Sequence, residues 1–167
     1  MYRKILIPLD GSELAECTLP YAEELAKGCD TEEVTLISVT ERVRGQTKAP
    51  EAQELYGVDD KPRIQKSSPD ITVTFGKMQR QAQRYLGRTA KRLEDKGVKV
   101  QTEVLIGEPA EEIVSFAEHN DAEIIVMSSH GRSGPSRRAH GRVADRVLKA
   151  SCIPVLMVRA PGCVPEI

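Results

Sequence analysis

Five short apolar runs, each followed or preceded by a stretch of helical periodicity, constrain the fold of this 167-residue chain more than any other feature. The runs are Lys4–Leu9, Val34–Val39, Val98–Ile106, Glu123–Met127 and Pro154–Val158. They have strand length and are rich in β-branched side chains. Between them the apolar residues recur at three- and four-residue steps. Ser12 is placed to cap a first helix, with Glu13 and Glu16 near its positive end and Leu14, Thr18, Ala22 and Leu25 on one face. Pro20 predicts a bend or a split in that helix, and Gly28 a stop. The spacing of Phe75, Met78, Ala82, Tyr85, Leu86, Ala90 and Leu93 predicts a long helix over 74–96, closed by Gly97. A third helix is expected from Pro109, with Ile113, Val114 and Ala117 as its apolar face. A fourth is expected over 141–150, carrying Val143, Ala144, Val147 and Leu148.

Strand and helix therefore alternate along the whole chain. Helical crossovers force neighbouring strands to run parallel, and central parallel strands must be covered on both faces, which suits runs that are apolar throughout. The expected architecture is an open, doubly wound parallel α/β sheet with helices on both faces. Residues 1–160 read as one domain and 161–167 as a tail. Residues 42–73 break the rhythm with Pro50, Pro62, Pro69, Gly45 and Gly57, and read as either a mobile lid or, the favoured reading, a long surface insertion with room for a short helix near Pro50–Tyr56.

Several classes of function are disfavoured at this point. Twenty-four basic against twenty-five acidic side chains give a net charge of −1, and the chain has two Phe and no Trp. Neither the charge nor the aromatic content suits a nucleic-acid binder, which draws on excess cations and stacking rings. No apolar run approaches the length of a spanning helix. Only five apolar residues precede Asp10, without a cleavage pattern, so a cytoplasmic protein is expected. Cys17, Cys29, Cys152 and Cys163 form no Cys-x-x-Cys pair; they read as free, mostly buried thiols, with Cys163 exposed in the tail.

In such a sheet, ligands bind beyond the carboxyl ends of the strands, where strand order reverses. The segment Ser128–Arg142, after the fourth strand, is the informative one. It is rich in Gly, Ser and Arg and leads straight into a helix. Small residues let a backbone approach an anion, and the free amides of a helix start attract phosphate. Arg132, Arg137, Arg138, Arg142, Arg146 and Lys149 stand against a single Asp over 131–149. Composition leaves open both a phosphate site and a solvated basic face. There is no Gly-x4-Gly-Lys-Ser/Thr and no Gly-x-Gly-x-x-Gly after the first strand, so neither common nucleotide motif applies. No Ser-His-Asp or Cys-His arrangement can be assigned from spacing, and no catalytic residue is named.

These stretches together resemble the universal stress protein family. Ile5-Leu6-Ile7-Pro8-Leu9-Asp10-Gly11-Ser12 is similar to the family's opening strand and turn, and Gly107-Glu108-Pro109-Ala110-Glu111-Glu112-Ile113 to its third strand-helix junction. Ile124–Gly134 and Gly141–Leu148 resemble its signature region, and Cys152–Val158 its last strand. The nucleotide-binding branch carries Gly-x-x-Gly, nine residues, then Gly followed by Ser or Thr. Here Gly131 and Gly141 are in register, while Ser128 replaces the first Gly and Arg142 the hydroxyl.

The resemblance implies a strand order of 3-2-1-4-5 and a site for ATP or AMP, with Mg²⁺ accompanying ATP. Asp10 and Val39 would meet the adenine-ribose end, Pro8 and Leu9 would shape its wall, and Met127 would pack beside the nucleotide. Ser128, Gly131, Gly141, Arg142 and Val143 would lie along the phosphates, with His130 nearby. Asp10, with Glu41 and Glu108, is the candidate to hold Mg²⁺ through the nucleotide. Bland alternatives stand beside these: Asp10 as a helix cap, Val39 and Met127 as core, His130 as a loop residue with one backbone hydrogen bond. The resemblance also implies a stress-response regulator rather than a dedicated enzyme. It would form a homodimer paired through Val155, Leu156, Met157 and Val158, with a further protein partner. A nucleotide-free dimeric interaction protein of the same fold is the alternative.

Overall fold

The computed structural model describes residues 2–41, 69–132, 134 and 140–162, the side chains of 69–75 excepted. The elements are β1 (Lys4–Pro8), α1 (Glu13–Glu16), α2 (Leu19–Gly28), β2 (Glu33–Thr40), α3 (Pro69–Glu94), β3 (Val100–Ile106), α4 (Pro109–His119), β4 (Ile124–Ser128), α5 (Arg142–Ala150) and β5 (Val155–Val158). The five strands pair in parallel in the order β3-β2-β1-β4-β5. The chain winds outward from β1 through β2 to β3, then returns to the far side of β1 for β4 and β5. The reversal falls between β1 and β4, which pair in parallel and send their loops out at the same edge of the sheet.

Alternation along each strand sends its side chains to two apolar layers. Ile5, Ile7, Leu9, Val34, Leu36, Ile124, Val126 and Val158 pack with Ala15, Leu19 and Ala22 of α1–α2 and with Leu86, Ala90 and Leu93 of α3. Leu6, Ile37, Ile125 and Met127 pack with Ala110, Ile113 and Ala117 of α4 and with Ala144 and Val147 of α5. Thr18 is buried between α1 and α2, and its hydroxyl donates to the Ala15 carbonyl at 2.7 Å, so no donor is left unpaired there. Among the described residues no helix is long and apolar enough to cross a membrane.

Pro20 splits the first helix as expected. α1 closes at Glu16, and Pro20 falls in the first turn of α2, where a backbone N–H would have no partner. α3 starts at Pro69, five residues before the expected Thr74. The proline read as a loop residue is instead the helix's opening residue, a place its fixed φ suits. The thiols expected to be mostly buried are not: Cys17 and Cys29 are half-buried and Cys152 is exposed. The remainder of the 42–73 insertion, the short helix near Pro50–Tyr56 and Cys163 lie outside the described residues.

Gly87 sits in mid-helix on exposed α3, and a methyl group there would meet nothing within 4 Å. Glycine in a helix interior is worse than alanine by roughly 0.5–1 kcal/mol. Gly87→Ala is therefore expected to stabilise the protein by about that amount, read as a rise in the thermal midpoint. An unchanged or lowered midpoint would show that this turn is not helical in solution.

Candidate functional site

The loops leaving β1 and β4 meet across the reversal of the sheet, and Asp10 joins them. The β1 loop turns at Gly11, whose φ of +84° lies in the left-handed region. Ser12 then caps α1, its hydroxyl accepting from the Ala15 amide at 3.2 Å. One carboxylate oxygen of Asp10 accepts from the Ser12 amide at 3.0 Å and from the Ser12 hydroxyl at 2.6 Å. The other accepts from the Arg132 amide at 2.7 Å, across 122 residues of sequence. Asp10 is thus not the helix cap. It orients the cap with one oxygen and holds the β4 loop with the other. Gly131 makes this approach feasible: a Cβ there would overlap the Asp10 oxygen bound by Arg132.

The β4 loop is buried before it emerges. Ser128, Ser129 and His130 are each less than a tenth exposed. Ser129 is a junction. Its amide donates to the Val158 carbonyl at 2.8 Å, its carbonyl accepts from the Gly141 amide at 2.7 Å, and its hydroxyl accepts from the Ala160 amide at 3.0 Å. The same hydroxyl lies 3.1 Å from His130 Nδ1. Gly141 passes close above this junction, since a Cβ there would stand 3.3 Å from the Ser129 carbonyl oxygen. It is also the N-cap of α5, with no side chain capping the helix. The opening amides of this nine-residue helix, those of Arg142 and Val143 among them, therefore keep their pull on an anion.

The expected site residues are gathered at one rim of the sheet but on two sides of it. Val39, Met127 and Val143 share the apolar cluster on the α4–α5 side, and alternation from Leu6 puts Pro8 there too. Asp10, Gly131 and Gly141 lie on the loops at this rim, and Arg142 opens α5. Leu9 is buried in the opposite cluster. Ser128 also turns away, its hydroxyl accepting from the Cys17 thiol of the α1–α2 corner at 3.6 Å and from the His130 amide at 3.4 Å. Met127, only 5% exposed, is part of the core. His130 is a buried residue of the loop, not a surface one. Residue types alone did not single out Ser129 or the Arg132 amide. The signal available was position: both flank His130-Gly131, where the loop turns back over the sheet.

The basic cluster divides in the same way. Arg146 pairs with Glu108 at 2.6 Å and Glu111 at 3.1 Å, and Lys149 with Asp145 at 2.8 Å. These two cations serve the α4–α5 surface. Arg142 and Arg132 make no ion pair with a described residue, and both are exposed. Arg137 and Arg138 lie outside the described residues. Glu108 caps α4 through the Ala110 amide at 3.2 Å besides pairing with Arg146, so it is occupied structurally. Among the described residues no group of three or more His, Cys, Asp or Glu is arranged to hold a metal directly. Behind the β1 loop, burial and then the neighbouring Glu16 charge push the Tyr85 phenol well above its usual range, so it stays neutral.

A family model described as "Universal stress protein family" matches residues 1–159. The chain is similar to universal stress protein MJ0531 of Methanocaldococcus jannaschii, 33% identical over 162 residues spanning 96% of this chain and 84% of that protein. It is similar to universal stress protein MJ0577 of the same organism, 36% identical over 160 residues spanning 95% and 96%. The solved structure of MJ0577 matches with a TM-score of 0.77 at 32% identity, covering 97% of this chain and 99% of that one. The universal stress protein from Archaeoglobus fulgidus in complex with dAMP shares the fold, with a TM-score of 0.61 at 21% identity and coverage of 93% and 97%.

Proposed function

Since the chain belongs to the universal stress protein family, we propose that it is a regulatory module of the stress response that takes ATP or AMP at the reversal between β1 and β4. The observation that carries this reading is the uncapped start of α5 beside two glycines that let the rim's backbone pack closely, Gly131 against Asp10 and Gly141 over Ser129. Backbone amides there would receive phosphate oxygens. The base and ribose would lie toward Pro8, Val39 and Met127, with Asp10 at the ribose end. The dAMP-bound relative of the same fold supports an adenine nucleotide as the ligand class.

Two departures from the family's motif are compatible with this role. The Ser128 hydroxyl is engaged toward Cys17, away from the loop's outer side. The exposed Arg142 brings a guanidinium to the helix start, able to grip phosphate through paired hydrogen bonds. Mg²⁺ would enter with ATP, held by the phosphates and through water to Asp10, since such ions keep most of their water shell. Nucleotide would act by favouring one arrangement of the rim over another, changing a surface offered to a partner protein in the cytoplasm.

Isothermal titration with ATP and with AMP tests the reading, together with mass spectrometry of ligand released from the purified protein. Saturable heat and a thermal shift are expected. No heat and no shift at millimolar nucleotide would favour the nucleotide-free interaction protein.

The same reading includes a homodimer. β5 is an edge strand, and Leu156 on it is 37% exposed. An apolar edge of this kind is a hazard unless covered, and two-fold pairing of Val155–Val158 with its copy would cover it. A dimer is expected in sedimentation at micromolar concentration. Leu156→Lys is expected to shift it to monomer, with dissociation strengthened more than about tenfold. A monomeric wild-type profile would remove this part of the proposal.

A further inference from the structure

The outer face of α3 carries a row of cations that nothing in the nucleotide reading uses. Lys77, Arg80, Arg84, Arg88 and Lys91 follow one another at steps of three and four residues, all exposed, with Arg92 beside them. Between Ile71 and Leu93 the chain has no Asp or Glu. The buried positions of the same helix, Leu86, Ala90 and Leu93, fix the opposite face against the sheet, so the row points outward. At 1.5 Å per residue it runs for about 22 Å, with charges about 6 Å apart. A solvated helix surface ordinarily interleaves opposite charges at these steps, which stabilises it. Here like charges adjoin, and the five residues from Lys77 to Lys91 make no ion pair with a described residue. In a chain of net charge −1 this is strong segregation.

The fold itself shows what complements this helix. At its carboxyl end, Arg92 is paired by Glu16 of α1 at 2.8 Å, and Lys96 by Glu23 of α2 at 2.5 Å. Carboxylates presented by helices thus already neutralise the cations next in line. Glu94 and Asp95 lie exposed at the same end and border the row with negative charge. A broad polyanion such as a nucleic-acid duplex or an anionic membrane would press its phosphates against these acids. A narrow partner would not. Among the described residues the row carries no aromatic side chain for base stacking, and Met78 is its only exposed large apolar neighbour.

We propose that the outer face of α3 docks an acidic helical segment of a partner protein, whose carboxylates, four residues apart, match the pitch of Arg80, Arg84 and Arg88. The contact is electrostatic and peripheral to the core, so it is fast, salt-sensitive and separable from nucleotide binding.

Fluorescence anisotropy of the full chain with a labelled helical peptide of about 20 residues, bearing Glu at every fourth position, tests this. Saturable binding is expected, and raising salt from about 50 to about 300 mM should weaken it strongly. The triple variant Arg80→Glu/Arg84→Glu/Arg88→Glu should lose more than about tenfold in affinity, whereas the triple lysine variant should stay within about threefold. Unchanged circular dichroism and unchanged ATP titration in both variants would certify the fold. Absence of peptide binding to the wild type, equal binding by the glutamate variant, or capture of a DNA duplex or phosphatidylserine vesicles in place of the peptide would overturn the proposal.

Discussion

A Gly131→Ala variant should lose both stability and ligand. The added methyl group would occupy the space of the Asp10 oxygen that holds the Arg132 amide. That oxygen cannot retreat without releasing Ser12, because the second oxygen of the same carboxylate orients the α1 cap. The loop must move instead. Overpacking at a tight position costs about 1–3 kcal/mol, which for a chain of this size lowers the midpoint by several degrees. Nucleotide affinity is expected to fall more than about tenfold, since the displaced loop carries the amides proposed to face phosphate. Thermal denaturation and calorimetric titration read the two effects separately. A variant of wild-type stability would mean that the two loops do not touch through Asp10. A destabilised variant with full affinity would move the ligand elsewhere.

The second large effect is expected from Asp10→Ala. Three hydrogen bonds to a carboxylate vanish, and the Arg132 and Ser12 amides are left without their acceptor. Bonds to charged groups are worth more than neutral ones, and stranded donors add their own penalty, so a loss of about 2–3 kcal/mol is expected in chemical denaturation. Asp10→Asn separates the contributions. It keeps the shape and one acceptor, but the amide nitrogen of its side chain would face a backbone N–H, donor against donor. Its loss should fall between wild type and alanine. If alanine and wild type unfold at the same denaturant concentration, the carboxylate bridges nothing in solution.

Much of this architecture was legible in the residues. The five apolar runs lie at the five strands to within two residues, and Pro20 marked the break between α1 and α2 because a missing N–H is tolerable only in a first turn. The start of α3 was misjudged because Pro69 is as suited to opening a helix as to a loop, and no apolar period precedes Phe75 to decide between them. The universal stress protein motif pointed to one rim of the sheet but did not separate the residues that fall on its two sides. Strand parity held that information: Ile5, Ile7 and Leu9 share one face, so Leu9 could not share a wall with Pro8 and Met127. The double engagement of Asp10 was not legible, because it depends on an amide 122 residues away. Nor did the composition of the basic segment reveal that Arg146 and Lys149 are bound to local carboxylates while Arg142 pairs with no described one.

Ser129 gives the outer edge of the sheet a mechanical share in the rim. Through one residue, the exit of β5 at Val158 and Ala160 is fastened to Gly141, from which α5 begins. A tug on that border strand from outside would have to break a bond to Ser129 or drag the first turn of α5 along. The border strand and the first turn of α5 thus share one hydrogen-bonded residue.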